Sequence, residues 1–306
     1  MNPKRLRAYI YLIIVAAIWG IASPIIKFTL KELSPFTFLT YRFFITSLVL
    51  VPLMIALKEK FPKDSRKNLT LLILSLLGTT INLGLLFVGL KFTSVLDQAF
   101  ISETAPIFII LASYIFLKDR VTKKEKIGIL ITFLGTLLII IQPLLENGFL
   151  SYQNLFGNIL ILLSTISWVA YVIISKKQMR ENVSPLVMAV SNFFIGFITL
   201  LPLAVLENHG AKNLVLKVTS IGFSTQLGVL YMALISGALA YYLFQLGQKS
   251  IESSEAAIFS YLQPIFSAPL AIYWLKEKVD SSFSLGVVII ILGIVIAEYK
   301  TKSLDR

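Results

Sequence analysis

The sequence predicts an all-α membrane protein of ten transmembrane helices, arranged as two inverted five-helix repeats. Three observations predict it. First, 57% of the 306 residues are apolar, only 14% are charged, and the mean hydropathy is +0.83. A soluble chain carries about a quarter charged residues, so this one has too little charge to wet a soluble surface, and too much apolar surface to stay disordered. Second, the charges are parted by long apolar windows. Third, the two halves match one another residue by residue.

Charge-free windows run 8–26, 68–90, 127–145, 147–175, 182–206, 218–248, 256–275 and 281–297, while 33–57 holds only Arg42 and 98–117 only Glu103. Most reach the ~20 residues that carry a helix across ~30 Å of hydrocarbon. Lipid offers backbone groups no partner, so such spans are helical. The runs are continuously apolar and do not alternate, which excludes a transmembrane barrel. Lys4, Arg5 and Arg7 precede the first run as they would in a signal peptide. That run exceeds the usual ~7–15 residue core and more spans follow, so we read an uncleaved first helix.

Lys and Arg counts in the connections set the orientation. The amino end, the loops after spans 2, 4, 6 and 8, and the carboxyl end hold 20 basic residues; the opposite loops hold 7. This places both ends in the cytoplasm and demands an even number of spans. The net charge of +12 is then a topology signal. Its residues sit in short loops between spans and do not form a nucleic-acid surface.

The repeat is carried by residues that are not generic membrane filler. Trp19 and Lys27 match Trp168 and Lys176 at an offset of 149. Ser34-Pro35, Phe43-Phe44 and Pro52 match Ser184-Pro185, Phe193-Phe194 and Pro202 at 150. Gly89, Lys91, Pro106, Leu117-Lys118-Asp119, Val121, Gly128 and Gly135 match Gly247, Lys249, Pro264, Leu275-Lys276-Glu277, Val279, Gly286 and Gly293 at 158. Five spans per half is an odd number, so the second half enters the membrane from the other side, the plan that supports alternating access around a midplane site.

With these residues in place the chain resembles the EamA type of the drug/metabolite transporter superfamily, as two tandem domains over 8–143 and 155–299. Trp19-Gly20 with Lys27, Pro35 followed by Tyr41-Arg42-Phe43, the Pro106 helix ending in Leu117-Lys118-Asp119-Arg120-Val121, and the Gly128/Gly135 helix carry the first copy. Trp168, Pro185, Pro264, Leu275-Lys276-Glu277-Lys278-Val279 and Gly286/Gly293 carry the second. The resemblance implies a ten-helix transporter that exports or exchanges amino acids and other small metabolites. Glu103 departs from the small or apolar residue usual there, and Asn192 stands where the first copy has Arg42.

Ionisable groups in hydrocarbon are costly and are read as functional by default. Arg42, Asn82 and Glu103 fall at similar depths on spans 2, 3 and 4. We expect them to face one substrate cavity, with Arg42 for a carboxylate and Glu103 for an amine or a proton; a buried Arg42–Glu103 ion pair is the structural alternative. Pro106 and Pro264 each deprive a carbonyl of its helix partner, that of Ser102 and of Ser260, beside polar residues that include Glu103 and Tyr261. Mid-span Trp19 and Trp168 are read as cavity lining, as are Tyr241 and Gln245, four apart on one face of span 8. Lys27 and Lys176 are expected to snorkel as interface anchors, and Asp97 and Glu255 to stabilise helix starts. The seven-residue glycine pairs are read as packing faces, with room for a homodimer.

The expected partners are a small-molecule substrate and the lipid bilayer of the cell membrane, with no nucleic acid. No cofactor is expected: cysteine is absent, His209 is the single histidine, and no phosphate-binding loop or ATP motif occurs, so gradients must supply the energy. An intramembrane enzyme lacks its metal or nucleophile constellation, and a scaffold would not repeat central polar residues. Within transport, the alternative is a lipid-carrier flippase.

Overall fold

The computed structural model describes residues 3–117, 123–147, 152–251, 256 and 258–298. Lys118 to Val121, Glu255 and the basic residues of the carboxyl end, on which the sequence reading also drew, lie outside them. Helix α1 spans Pro3–Thr29 and α2 Pro35–Ala56. Helix α3, Ser65–Phe92, carries a π-helical stretch at Leu76–Ile81. Then come α4 (Val95–Ser102), α5 (Ala105–Leu117) and α6 (Lys123–Asn147). The second half runs α7 (Tyr152–Arg180), α8 (Pro185–Glu207), a short α9 (Ala211–Ser220) and α10 (Phe223–Ser250), with a π-helical stretch at Tyr231–Leu239. A 3₁₀ turn at Ile258–Leu262 leads into α11 (Gln263–Tyr273), and α12 is Ser281–Glu298. Among the described residues, α1, α2, α3, α7, α8 and α10 are long and apolar enough to cross a membrane.

Local chemistry sets the boundaries. Ser34 and Ser184 stand before Pro35 and Pro185, because proline's fixed φ and missing N–H suit the first helical turn. Asp64 starts α3 by accepting from the Arg66 amide at 2.8 Å, and Ser94 starts α4 by accepting from the Asp97 amide at 2.8 Å. The helix breaks at Glu103–Thr104, just before Pro106, and the matching span opens as a 3₁₀ turn just before Pro264. Both follow from the amide that proline lacks.

Packing joins the halves through matched residues. The Phe43 and Phe193 rings meet edge to face at 5.4 Å between α2 and α8. Gly89 of α3 lies on Gly157 of α7, where a Cβ on either would stand 3.0 Å from the other's carbonyl oxygen. Gly247 of α10 lies on Ala8 of α1, the repeat-related pair of positions, with its Cβ direction 3.4 Å from the Ala8 carbonyl. The glycine stripes of α6 and α12 face each other. Gly135 meets Gly286 and Ile290, and Gly293 meets Thr132 and Gly128, so the two helices run antiparallel. Large apolar residues such as Phe44, Leu48, Leu134, Leu285 and Leu292 are exposed on the outside, as a lipid-facing surface requires.

Lys27 and Lys176 each bond to the end of another helix. Lys27 Nζ donates to the carbonyls of Leu90 (2.7 Å) and Thr93 (2.5 Å) at the end of α3. Lys176 Nζ donates to those of Gln248 and Ile251, both at 2.5 Å, at the end of α10. Helix C-termini leave carbonyls without partners and carry partial negative charge, so a half-buried ammonium is well satisfied there.

Candidate functional site

A cavity of about 160 Å³ lies where α1, α2, α3, α4, α7, α10 and the turn before α11 converge. Arg42, Asn82, Glu103, Trp19, Trp168 and Tyr241 all line it. Gln245 and Tyr261 are not among its walls. Gln245 is fully buried and donates through Nε2 to the Tyr171 hydroxyl, while Tyr261 sits half-buried on the 3₁₀ turn, one residue beyond the cavity-lining Ser260. Gln245 stands on a face that periodicity makes polar, and periodicity does not tell a cavity from an internal network; Tyr261 is expected there from the kink at Pro264, and it is the neighbouring Ser260 that reaches the cavity.

Arg42 is only 1% exposed. Its guanidinium carbon lies 5.4 Å from the Phe43 ring centre and 5.5 Å from that of Phe87, close enough for cation–π attraction. Its Nε has no hydrogen-bond partner among the described residues. Glu103, 4% exposed, sits at the break between α4 and α5. Its Oε2 accepts from Ser260 Oγ at 3.1 Å, which ties the broken helix of one half to the matching turn of the other. Among the described residues no ion pair joins Arg42 to Glu103, so the two side chains line the cavity as separate groups. Gln98 adds an amide that donates to Ser102 Oγ at 3.0 Å and leaves its Oε1 buried without a partner.

Asn82 is partly occupied by its neighbours. Its Nδ2 donates to the Ser164 carbonyl at 2.8 Å and to Ser164 Oγ at 3.0 Å, and Ser164 Oγ returns a bond to the Asn82 carbonyl at 2.9 Å. Only its side-chain carbonyl remains for a ligand. The aromatic wall is a cluster. Trp19 packs edge-on to Trp168 at 5.5 Å and to Tyr241 at 5.3 Å, and Phe244 lies 5.3 Å from Trp19 and 5.2 Å from Trp168. The Trp19 indole donates to the Ser236 carbonyl at 3.1 Å, and the Tyr241 hydroxyl to the Gly78 carbonyl at 3.3 Å. Both acceptors lie in the π-helical stretches, whose irregular ladders present backbone oxygens to side chains.

Two features escaped sequence reasoning. Glu277 reaches from the loop before α12 to the first turn of α4, accepting from the amides of Val95 (2.8 Å) and Leu96 (3.1 Å). The acidic–basic pair after the ninth span was its only signal. The second is the Tyr171–Asn192–Gln245 cluster, in which the Tyr171 hydroxyl accepts from Asn192 Nδ2 at 2.7 Å and from Gln245. No spacing in the chain announces it, since its members lie on three separate helices. Among the described residues no group of His, Cys, Asp or Glu could hold a metal ion.

Comparison with known proteins gives a consistent picture. An uncharacterized transporter of Archaeoglobus fulgidus is 27% identical over 98% of this chain and 99% of its own. The uncharacterized transporter YetK of Bacillus subtilis is 27% identical over 99% and 90%. A protein of Salmonella typhimurium named as a probable amino-acid metabolite efflux pump is 27% identical over 93% and 92%. A solved crystal structure with 17% sequence identity covers 97% of both chains at a TM-score of 0.61, which shows the fold alone. The model of the EamA-like transporter family matches twice, at residues 6–141 and 155–299. With both halves matched, and with apolar helices suited to a bilayer enclosing a cavity that holds a few polar side chains, the chain belongs to the EamA-like transporter family.

Proposed function

We propose that this protein is a secondary transporter that exports small polar metabolites of the amino-acid type by alternating access. Its ten spans would form two inverted five-helix repeats, 8–143 and 155–299, with both ends in the cytoplasm. The fourth span is α4 with α5, and the ninth is the 3₁₀ turn with α11. The antiparallel register of α6 on α12, the matched lysine-to-carbonyl bonds and the Phe43–Phe193 contact support the inversion.

One observation carries the substrate assignment. Arg42, buried and without a counter-charge among the described residues, lines the same cavity as Glu103. A buried charge left uncompensated is strongly unfavourable, so a ligand carboxylate at Arg42 supplies what the protein does not, and Glu103 is placed for the amino group. A cavity of about 150 Å³ holds a molecule of benzene's size, so ≈160 Å³ suits a small amino acid. The Salmonella relative's name agrees with this reading. The test is efflux of a labelled amino-acid panel from cells that express the protein. Arg42→Gln and Glu103→Gln should each cut export at least tenfold with normal membrane insertion. Unchanged export by Glu103→Gln would remove any amine- or proton-binding role from that side chain.

A further inference from the structure

The two halves of the cavity region are built alike and finished differently. This inference rests on the reading of the cavity as the transport site. The offset of 149 pairs Ala22 with Tyr171, bracketed by Trp19/Trp168 and Lys27/Lys176; 150 pairs Arg42 with Asn192; 158 pairs Phe87 with Gln245. In the second half these positions form a closed network. The Tyr171 ring lies so tightly on α3 that a Cβ at Gly78 would stand 2.5 Å from it. Its hydroxyl takes hydrogen bonds from Asn192 (2.7 Å) and from Gln245, and the residue is fully buried. In the first half the matching positions hold Arg42 stacked on Phe87. Where Tyr171 has its phenol, that half has only the methyl group of Ala22, on the cavity wall.

We propose that Tyr171 fills in the second repeat the space that substrate fills in the first, so that Ala22 is the residue that sets substrate size. Tyr171 presents an oxygen acceptor to position 192 with a flat six-carbon body behind it. Transposed to the first repeat, the acceptor end faces Arg42 and Phe87, the repeat counterparts of Asn192 and Gln245, and the body extends back toward Ala22. The charge of Arg42 makes that acceptor a carboxylate. The ligand class is therefore a monocarboxylate, with or without an amino group, whose apolar body is no bulkier than a phenyl ring.

The test uses the purified full-length protein, with indole fluorescence as readout because Trp19 and Trp168 line the cavity. Benzoate and leucine should quench it at least tenfold more strongly than uncharged benzyl alcohol. 1-Naphthoate and 2-naphthoate, which exceed the phenyl limit, should bind at least tenfold more weakly than benzoate. Ala22→Tyr should abolish the benzoate response while keeping a cooperative melt. If that variant does not fold, Ala22→Cys gives the only thiol in the chain. Attaching a benzyl group there with benzyl methanethiosulfonate should block benzoate binding, and dithiothreitol should restore it. Benzoate binding by folded Ala22→Tyr within twofold of the unsubstituted protein would overturn the proposal. So would binding that survives complete benzylation, or naphthoates that bind as well as benzoate. Those results would leave the transport reading standing if export still depends on Arg42. A protein that neither binds these carboxylates nor exports any amino acid would sink both.

Discussion

Arg42 is a costly residue to hold in place. A buried arginine is unfavourable by several kcal/mol unless paired, and here two aromatic rings are its neighbours and its Nε is left without a partner among the described residues. A structural arginine would stabilise the fold, whereas a binding arginine is held at the expense of stability. Arg42→Met therefore separates the two roles. Binding predicts a melting temperature unchanged or raised, together with at least a tenfold loss of export; a structural role predicts a fall in both. Both Arg42 and Glu103 were legible in the sequence because a single charge in an apolar window is conspicuous. Gln245 was legible as polar, but its place in an internal network was not, because its partner Tyr171 is 74 residues away and no local pattern links them.

At the scale of the helix, the recurring device is a charged side chain from another segment placed on a helix end. Lys27 and Lys176 cap the carbonyl ends of α3 and α10, and Glu277 caps the amide end of α4. A hydrogen bond to a charged group contributes about 1.5–3 kcal/mol. Lys27→Met should thus lower the melting temperature clearly, and Lys176→Met by a similar amount, since the geometry is repeated; a drop at one site alone would show that only that cap matters. Glu32, in the loop between α1 and α2, meets the start of α10 through the Gly222 amide (2.9 Å) and Thr225 Oγ1 (2.7 Å). These bonds favour the carboxylate and hold its pKa below the ordinary 4.5, the Thr225 bond most and the Gly222 bond next. Because the folded value is the lower one, the contribution is fully present above about 4.5 and is lost as pH falls through the folded value. The melting difference between the protein and Glu32→Gln should be present at pH 7 and close progressively below pH 4.5. A difference that persists to pH 3 would mean that the ionised form has no special role. The six long apolar helices followed from the apolar windows, but the short α9 did not, and neither did the capping partners, because they come from the far end of the chain. The glycine stripes were visible as seven-residue pairs. That each packs on the other required the fold.

At the scale of the molecule, orientation is decided by where the basic loops sit. The connection after α2 carries Lys58, Lys60, Lys63, Arg66 and Lys67, while the stretch from α8 to α10 carries only Lys212 and Lys217. If the second half is the first inverted, these repeat-matched segments lie on opposite faces of the membrane, and the positive-inside rule assigns the first to the cytoplasm. The absence of native cysteine makes this directly measurable, since one substitution introduces the only thiol. Lys212→Cys, exposed on α9, should react with a membrane-impermeant maleimide on intact cells. Lys60→Cys, equally exposed, should react only after permeabilisation. Reversed labelling would invert the orientation but keep the repeat. Labelling of both from the same side would break the inversion itself, and with it the means by which one cavity could open alternately to either face. The repeat could be read from sequence because offsets of 149, 150 and 158 survive inside helices. The difference between its halves could not, since a methyl group at 22 and a phenol at 171 acquire meaning only when the fold sets each against its own wall.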